Sequence, residues 1–123
     1  YINDDPYWIE NFYASGAMFS TVEDLLKFDQ AIFKHQILSK SSTELMLKAY
    51  PELWYVAYGF WVSENTFAGK KILCADRQGS ISGSNTSWLH LINDNRTFII
   101  FSNTDATQLN DLRTELVEAS LEK

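Results

Sequence analysis

Apolar residues recur every three to four positions in the first third of the chain and every second position in its middle. In "SGAMFSTVEDLLKFDQAIFKHQ" (15–36), Leu25, Phe28 and Ile32, with Val22 and Leu26 beside them, fall at helical spacing. That pattern predicts a helix from about Thr21 to Lys34 with those side chains as one buried stripe. Ser20 followed by Glu23 fits a capping box, in which the hydroxyl accepts a helix N–H and the carboxylate reaches back, and Asp24 adds negative charge to the first turn. Ser41 and Glu44 repeat the pattern ahead of Leu45, Met46 and Leu47, which predicts a short second helix ending before Pro51.

Beyond Pro51 the period shortens. "WYVAYGFWVS" (54–63) is rich in β-branched and aromatic residues and predicts a first strand of roughly eight residues. "GKKILCA" (69–75) is its expected hairpin partner, joined through the polar "ENTFAG" (64–69). In "TSWLHLI" (86–92), Thr86, Trp88, His90 and Ile92 alternate with Ser87, Leu89 and Leu91; "NDNR" then predicts a turn and "TFIIFSN" (97–103) a return strand. Leu109, Leu112 and Leu116, extended by Val117 and Leu121, place an amphipathic face on a closing helix over about 107–122. The order is helices over 1–50, an antiparallel meander of three to four strands over 54–103, then one helix packed on the sheet. That is an α+β fold in a single domain of 123 residues.

Composition removes several function classes. With 46% hydrophobic and 15% aromatic residues the chain carries enough apolar side chains for one core. Sixteen acidic residues against ten basic ones give a formal charge of -6, which disfavours phosphate backbones and anionic membrane surfaces, so no nucleic-acid partner is expected. No apolar run approaches the roughly 20 residues that span a bilayer. "YINDDPYW" at the start lacks a basic and apolar leader and has no initiating methionine, so the chain reads as a piece of something longer. A single cysteine, Cys74, excludes an internal disulfide framework and a multi-cysteine zinc site.

Candidate chemistry is sparse. His35 and His90 stand on different predicted elements with no carboxylate or thiol at ligand spacing, and read as a solvated helix-end histidine and a strand histidine rather than a metal pair or a base. No metal or cofactor is expected. Asp4, Asp5 and Glu10 offer paired carboxylates but read as a solvated acidic loop. Asn85-Thr86-Ser87 and Asn95-Arg96-Thr97 match the glycosylation acceptor pattern, which matters only in a eukaryotic secreted protein. In "ADRQGSISGSNTSW" (75–88), Arg77 reads equally as a solvated arginine at a strand start, and Gly79 and Gly83 as turn glycines.

Taken together and in order, "SGAMFSTVEDLLKF", "ILSKSSTELM", "YGFW" and "RQGSISGSNTSWLHLINDNRTFIIFSNT" resemble the C-terminal half of the serine β-lactamase-like family, which includes class C β-lactamases, D-alanyl-D-alanine carboxypeptidases, and related esterases. The resemblance spans about Ala14 to Asn103. The family's Gly-Gly-x-x-Ser-Thr-x-x-Asp-Leu pattern is occupied by Gly16, Ala17, Ser20, Thr21, Asp24 and Leu25, with Ala17 replacing one glycine. Its Lys-Thr-Gly or His-x-Gly motif, on the strand edging the catalytic cleft, is occupied by Arg77, Gln78 and Gly79. The resemblance implies that Arg77 faces the substrate carboxylate, that Gln78 and Gly79 border substrate, and that the N–H of Ser80 completes an oxyanion hole. Arg77 departs from the pattern, because guanidinium is bulkier, keeps its proton and favours bidentate pairing.

The family's nucleophile, a serine in Ser-x-x-Lys, and its Tyr-x-Asn have only letter matches here. Ser120-Leu121-Glu122-Lys123 ends a helix, and Tyr1-Ile2-Asn3 falls just before the Ser-Thr helix. The resemblance therefore implies a C-terminal portion of a longer amide or ester hydrolase with a partial β-lactamase/transpeptidase-like fold, inactive alone. It also implies a small-molecule or peptide substrate, a periplasmic or extracellular location, and an exposed surface or free sheet edge through which copies pair into a homodimer. The alternative is a non-catalytic module that keeps the fold and binds a peptidoglycan-like peptide or a protein partner; an unrelated α+β protein is the third reading.

Overall fold

The computed structural model describes residues 9–81 and 83–122. An α+β architecture results, with one antiparallel four-stranded sheet in the order β1-β2-β3-β4: β1 is Trp61–Phe67, β2 Lys70–Ile81, β3 Ser84–Leu91 and β4 Arg96–Ser102. Helices α1 (Val22–Phe33) and α2 (Lys40–Met46) precede the sheet and α3 (Leu109–Leu121) follows it. Short 3₁₀ segments at Ile9–Ser15 and Pro51–Leu53 complete the order.

Each face of the sheet carries its own core. Ile32 of α1 packs with Ala57, Phe60, Val62, Ala75 and Trp88, while Val117 of α3 packs with Phe67, Ile72, Cys74, Leu89 and Leu91. β3 lies between the two, so both alternating sets expected from its sequence are buried: Trp88 and His90 toward α1, Ser87, Leu89 and Leu91 toward α3.

Several local expectations shift. Thr21, not Ser20, caps α1: its backbone is extended and its hydroxyl accepts the Asp24 N–H at 3.1 Å. Ser39, not Ser41, caps α2, accepting from Ser42 N–H at 3.2 Å. The first strand is displaced by several residues. Trp54 and Tyr55 adopt left-handed backbone angles (φ 59 and 61), and the stretch before Trp61 makes isolated bridges instead of a ladder. β1 instead runs through Glu64-Asn65-Thr66-Phe67, which composition assigns to a turn. The hairpin closes in two residues, Ala68 and Gly69, both at positive φ (46 and 76), the geometry whose twist matches the flanking strands. The Ala68 N–H is held by Glu118 of α3 at 2.7 Å.

The helices also bury stripes other than the apolar ones read from sequence. On α1 the inward positions are Leu25, Asp29, Ile32 and Phe33; Phe28, Val22 and Leu26 are exposed. On α3 the inward line is Leu109, Arg113 and Val117, at i, i+4 spacing, while Leu112 and Leu116 face outward. Arg113 explains the rotation: one guanidinium nitrogen donates to both Asp76 carboxylate oxygens at 2.9 Å and to Ser87 at 3.3 Å, tying α3 to β2 and β3. An ion pair this well covered anchors orientation where an exposed one would not.

Asp29 performs the corresponding task on the other face. It is 1% exposed and accepts from Trp88 Nε1 (2.7 Å), from Thr97 Oγ1 (2.7 Å) and from His90 Nδ1 (3.1 Å). Because the carboxylate can only accept, the His90 proton on this side sits on Nδ1. The imidazole is stacked on Phe33, with centroids 3.4 Å apart and planes 1° from parallel. His35, by contrast, lies exposed just past α1, with Nδ1 at 3.2 Å from the Thr43 hydroxyl.

The rotation of α3 gives a direct test by denaturant unfolding. Val117→Ala, which empties a fully buried site, is expected to cost roughly 2 kcal/mol. Leu116→Ala, 44% exposed, is expected to stay within about 0.5 kcal/mol. A reversed order would show that α3 buries its leucine face after all.

Candidate functional site

β2 outruns its neighbour. β1 ends at Trp61 opposite Asp76, whereas β2 continues to Ile81 against β3, so 77–81 is an edge on one side. The phase of the ladder decides which backbone groups that edge presents. Ile92 N–H bonds Leu73 O at 2.9 Å, and the register continues without a bulge to Ile81 opposite Ser84. Antiparallel residues alternate between bonding the partner and facing away, so odd-numbered residues of β2 bond β3 and even-numbered ones turn outward. The N–H groups of Gln78 and Ser80 therefore point away from β3, past the end of β1. Among the described residues no strand lies there to receive them.

Side chains alternate as well. Arg77 and Gly79 lie on the α1 face with Ala75; Gln78 and Ser80 lie on the α3 face with Asp76. The Arg77 guanidinium sits over the Trp61 ring, 5.2 Å from its centroid, and takes part in no ion pair among the described residues. Gln78 turns its amide toward Asp76 at 3.4 Å, so it borders the cleft with backbone alone. Gly79 is constrained by a neighbour: a Cβ there would meet the Thr86 hydroxyl oxygen at 2.6 Å.

This edge walls a cavity of about 420 Å³ whose other wall is the segment leading into α1, including Gly16, Met18 and Phe19, with Leu25 and Trp88 as its apolar floor. Arg77 is the one charged residue in that lining among the described residues. A second hollow of about 420 Å³ opens on the α3 face beside Ser87, Asp105 and Gln108. Its main polar group is already engaged, since Asp105 accepts from Gly83 N–H at 2.9 Å and Asn85 Nδ2 at 3.4 Å. Of the two, the α1-side cavity is the stronger candidate, because it combines apolar walls with a cation that makes no ion pair among the described residues.

Among the described residues no nucleophile is paired with a base there. Cys74 is fully buried, and that burial pushes its thiol above the ordinary range, away from the reactive thiolate. Ser120 donates to Val117 O at 2.7 Å at the end of α3, on the far face. Tyr1-Ile2-Asn3, Asp4, Asp5, the side chain of Glu10 and Lys123 lie outside the described residues. No cluster of three or more metal-ligating side chains occurs among the described residues.

The carboxylate beside His90 is absent from any sequence reading because Asp29 lies 61 residues away. Its only sequence signal is position: an acidic residue between Leu25 and Ile32, one turn along the helix from each, sits on the inward stripe. His90 lies on β3, enclosed and hydrogen-bonded to Asp29 rather than free.

No family model, curated protein or solved structure matches this chain.

The crowding at Gly79 is testable by a double-mutant cycle. Gly79→Ala should destabilise the fold by about 1–3 kcal/mol, as overpacking does. In a Thr86→Ala background the same change should lose most of that cost, because the clashing oxygen is gone. Additive effects would show that the two positions do not press on one another.

Proposed function

We propose that this chain is the C-terminal portion of a serine β-lactamase-related hydrolase and forms one wall of its acyl-transfer cleft. The observation that carries the reading is a meeting of segments. The stretch leading into α1, which carries the resemblance to the Gly-Gly-x-x-Ser-Thr pattern, and Arg77–Ile81, which carries the resemblance to the Lys-Thr-Gly or His-x-Gly motif, line the same cavity from about 60 residues apart. The outward phase of the Ser80 N–H supports it further, since an oxyanion donor must be a backbone amide left unbonded by the sheet.

In this reading an upstream serine attacks an ester or amide carbonyl, the Ser80 N–H stabilises the oxyanion, Arg77 faces a substrate carboxylate, and water then releases the acyl group. Arg77, Gln78 and Gly79 are the substrate-bordering residues. Exposed Met18, Phe19, Val22, Leu26 and Phe28 form an apolar surface suited to the remainder of such a protein, and in its absence to a second copy. β4 offers a further route, as an edge strand with Phe98, Ile99, Ile100 and Phe101 and no proline. A periplasmic or extracellular location belongs to the same proposal. The second reading, a non-catalytic module binding a peptidoglycan-like peptide or protein at the old cleft, draws on the same cavity and on the lack of an assembled nucleophile among the described residues.

The coding frame upstream of Tyr1 separates the two. A Ser-x-x-Lys followed by a Tyr-x-Asn supports the hydrolase, and a start codon close to Tyr1 supports the module. The 123-residue chain alone should show no turnover of chromogenic esters or β-lactams. The longer protein should hydrolyse one of them, with Arg77→Ala and Gly79→Trp lowering kcat/KM by about tenfold or more. Unchanged activity in both variants would sink the site assignment. Sedimentation of the chain alone should show self-association that strengthens with concentration; a monomer over a wide range would argue against an unpartnered docking surface.

A further inference from the structure

The outer half of β2 has little to rest on. β1 ends opposite Asp76, so residues 77–81 have no strand on that side among the described residues, and a cavity of about 420 Å³ lies on each face of them, one toward α1 and one toward α3. Ala75 is fully buried, whereas Arg77, Gln78, Gly79 and Ser80 are all exposed. A segment with so few packed neighbours opens locally at little cost unless its end is tied.

Along its length it is held by the ladder to β3, in which Arg77, Gly79 and Ile81 bond Trp88, Thr86 and Ser84. The Ile81–Ser84 pair is the last, and strand pairs fray from the end inward. Ser80 lies between Gly79 and Ile81, so its outward N–H keeps its direction only while both neighbours stay bonded. That direction is therefore decided at the tip of the β2–β3 hairpin.

At the tip one carboxylate holds both arms. Asp105, in the loop between β4 and α3, accepts from Gly83 N–H through Oδ2 at 2.9 Å and from Asn85 Nδ2 through Oδ1 at 3.4 Å. The loop that carries it is itself fixed: Ser102 Oγ donates to Thr104 O at 3.0 Å and accepts from Thr104 N–H at 3.3 Å, and Ala106 N–H donates to Thr104 Oγ1 at 3.2 Å. Arg113 anchors the base of the hairpin at Asp76 and Ser87, Asp105 anchors its tip, and between the two anchors lies the α3-side hollow, with Gln78 and Ser80 in its lining.

We propose that Asp105 is a positioning residue: its carboxylate clamps the hairpin tip, keeps Ile81 and Gly79 paired to β3, and so fixes the outward direction of the Ser80 N–H. The clamp belongs to the chain itself, and its catalytic consequence rests on the hydrolase reading above, so the two are tested in separate arms.

The first arm follows amide hydrogen exchange in the whole 123-residue chain by NMR. Asp105→Ala should speed exchange at Gly79 and Ile81 about tenfold, while Ala75, further back on the same ladder, stays unchanged. Asp105→Asn, which keeps one accepting oxygen, should fall between the two. Asp94→Ala removes the same charge from the exposed β3–β4 turn and should alter neither amide. In the second arm, Asp105→Ala in the longer protein should lower kcat about tenfold with KM unchanged, because an oxyanion donor acts on the transition state more than on bound substrate.

A folded Asp105→Ala chain whose Gly79 and Ile81 amides exchange as before overturns the proposal. Acceleration that reaches Ala75 equally also overturns it, since that reports general destabilisation instead of a clamp at the tip. Faster exchange at the tip with kcat unchanged in an active longer protein overturns the positioning of Ser80 and leaves the clamp standing. A longer protein with no hydrolysis removes the hydrolase reading and the catalytic consequence with it, and exchange at Gly79 and Ile81 then decides the clamp alone. If Asp105→Ala does not fold, Asn85→Ala, which removes the opposing donor, is read at the same two amides.

Discussion

A carboxylate removed from water must be answered by donors, and the donors for Asp29 come from strands 59 to 68 residues further along the chain. Leaving such a charge unpaired costs several kcal/mol, so α1 can dock only where Trp88, His90 and Thr97 converge. That requirement sets the rotation of the helix, which is why Asp29 lies inward while Phe28 and Leu26 lie outward. It also aligns β3 with β4, since Trp88 and His90 belong to one strand and Thr97 to the next. Hydrophobic contact alone is non-directional and would have tolerated several docking angles.

The opposite face is governed by a matching constraint of smaller depth. Arg113 of α3 reaches Asp76 of β2 and Ser87 of β3, again placing a polar pair where sequence periodicity expects leucine. Asp76 is the residue opposite which β1 ends and the one immediately before Arg77. The strand is thereby held from the α3 side at the point where it loses its neighbour on the β1 side. An edge supported in this way can present backbone N–H groups in fixed directions, which a fraying strand end cannot. The candidate cleft is a consequence of unequal strand lengths joined to that anchor.

Most of the element order was legible from local signals. The spacing of Leu25 and Ile32, the threonine and serine caps one or two positions from those expected, and the alternation from Thr86 to Leu91 all led to the right element type. The failures share a cause. "WYVAYGFWVS" has the composition of a strand, yet Trp54 and Tyr55 take left-handed angles and the ladder begins only at Trp61. What positions a strand here is the Ala68-Gly69 turn and pairing to β2, and propensity yields to them. Arg77, Gln78, Gly79 and Ser80 could be picked out in the sequence as a group, but which of them turn side chains and which turn backbone toward the cavity depends on ladder phase.

The sequence by itself determined the α+β class and the order of helices and strands, because periodicity, capping and turn chemistry act within a few residues. Tertiary structure alone decided which stripe each helix buries, the pairing of Asp29 with Trp88, His90 and Thr97, and the free direction of the Ser80 N–H. Those depend on donors and acceptors brought together from distant parts of the chain, and a linear reading carries no information about which distant group will answer a buried charge.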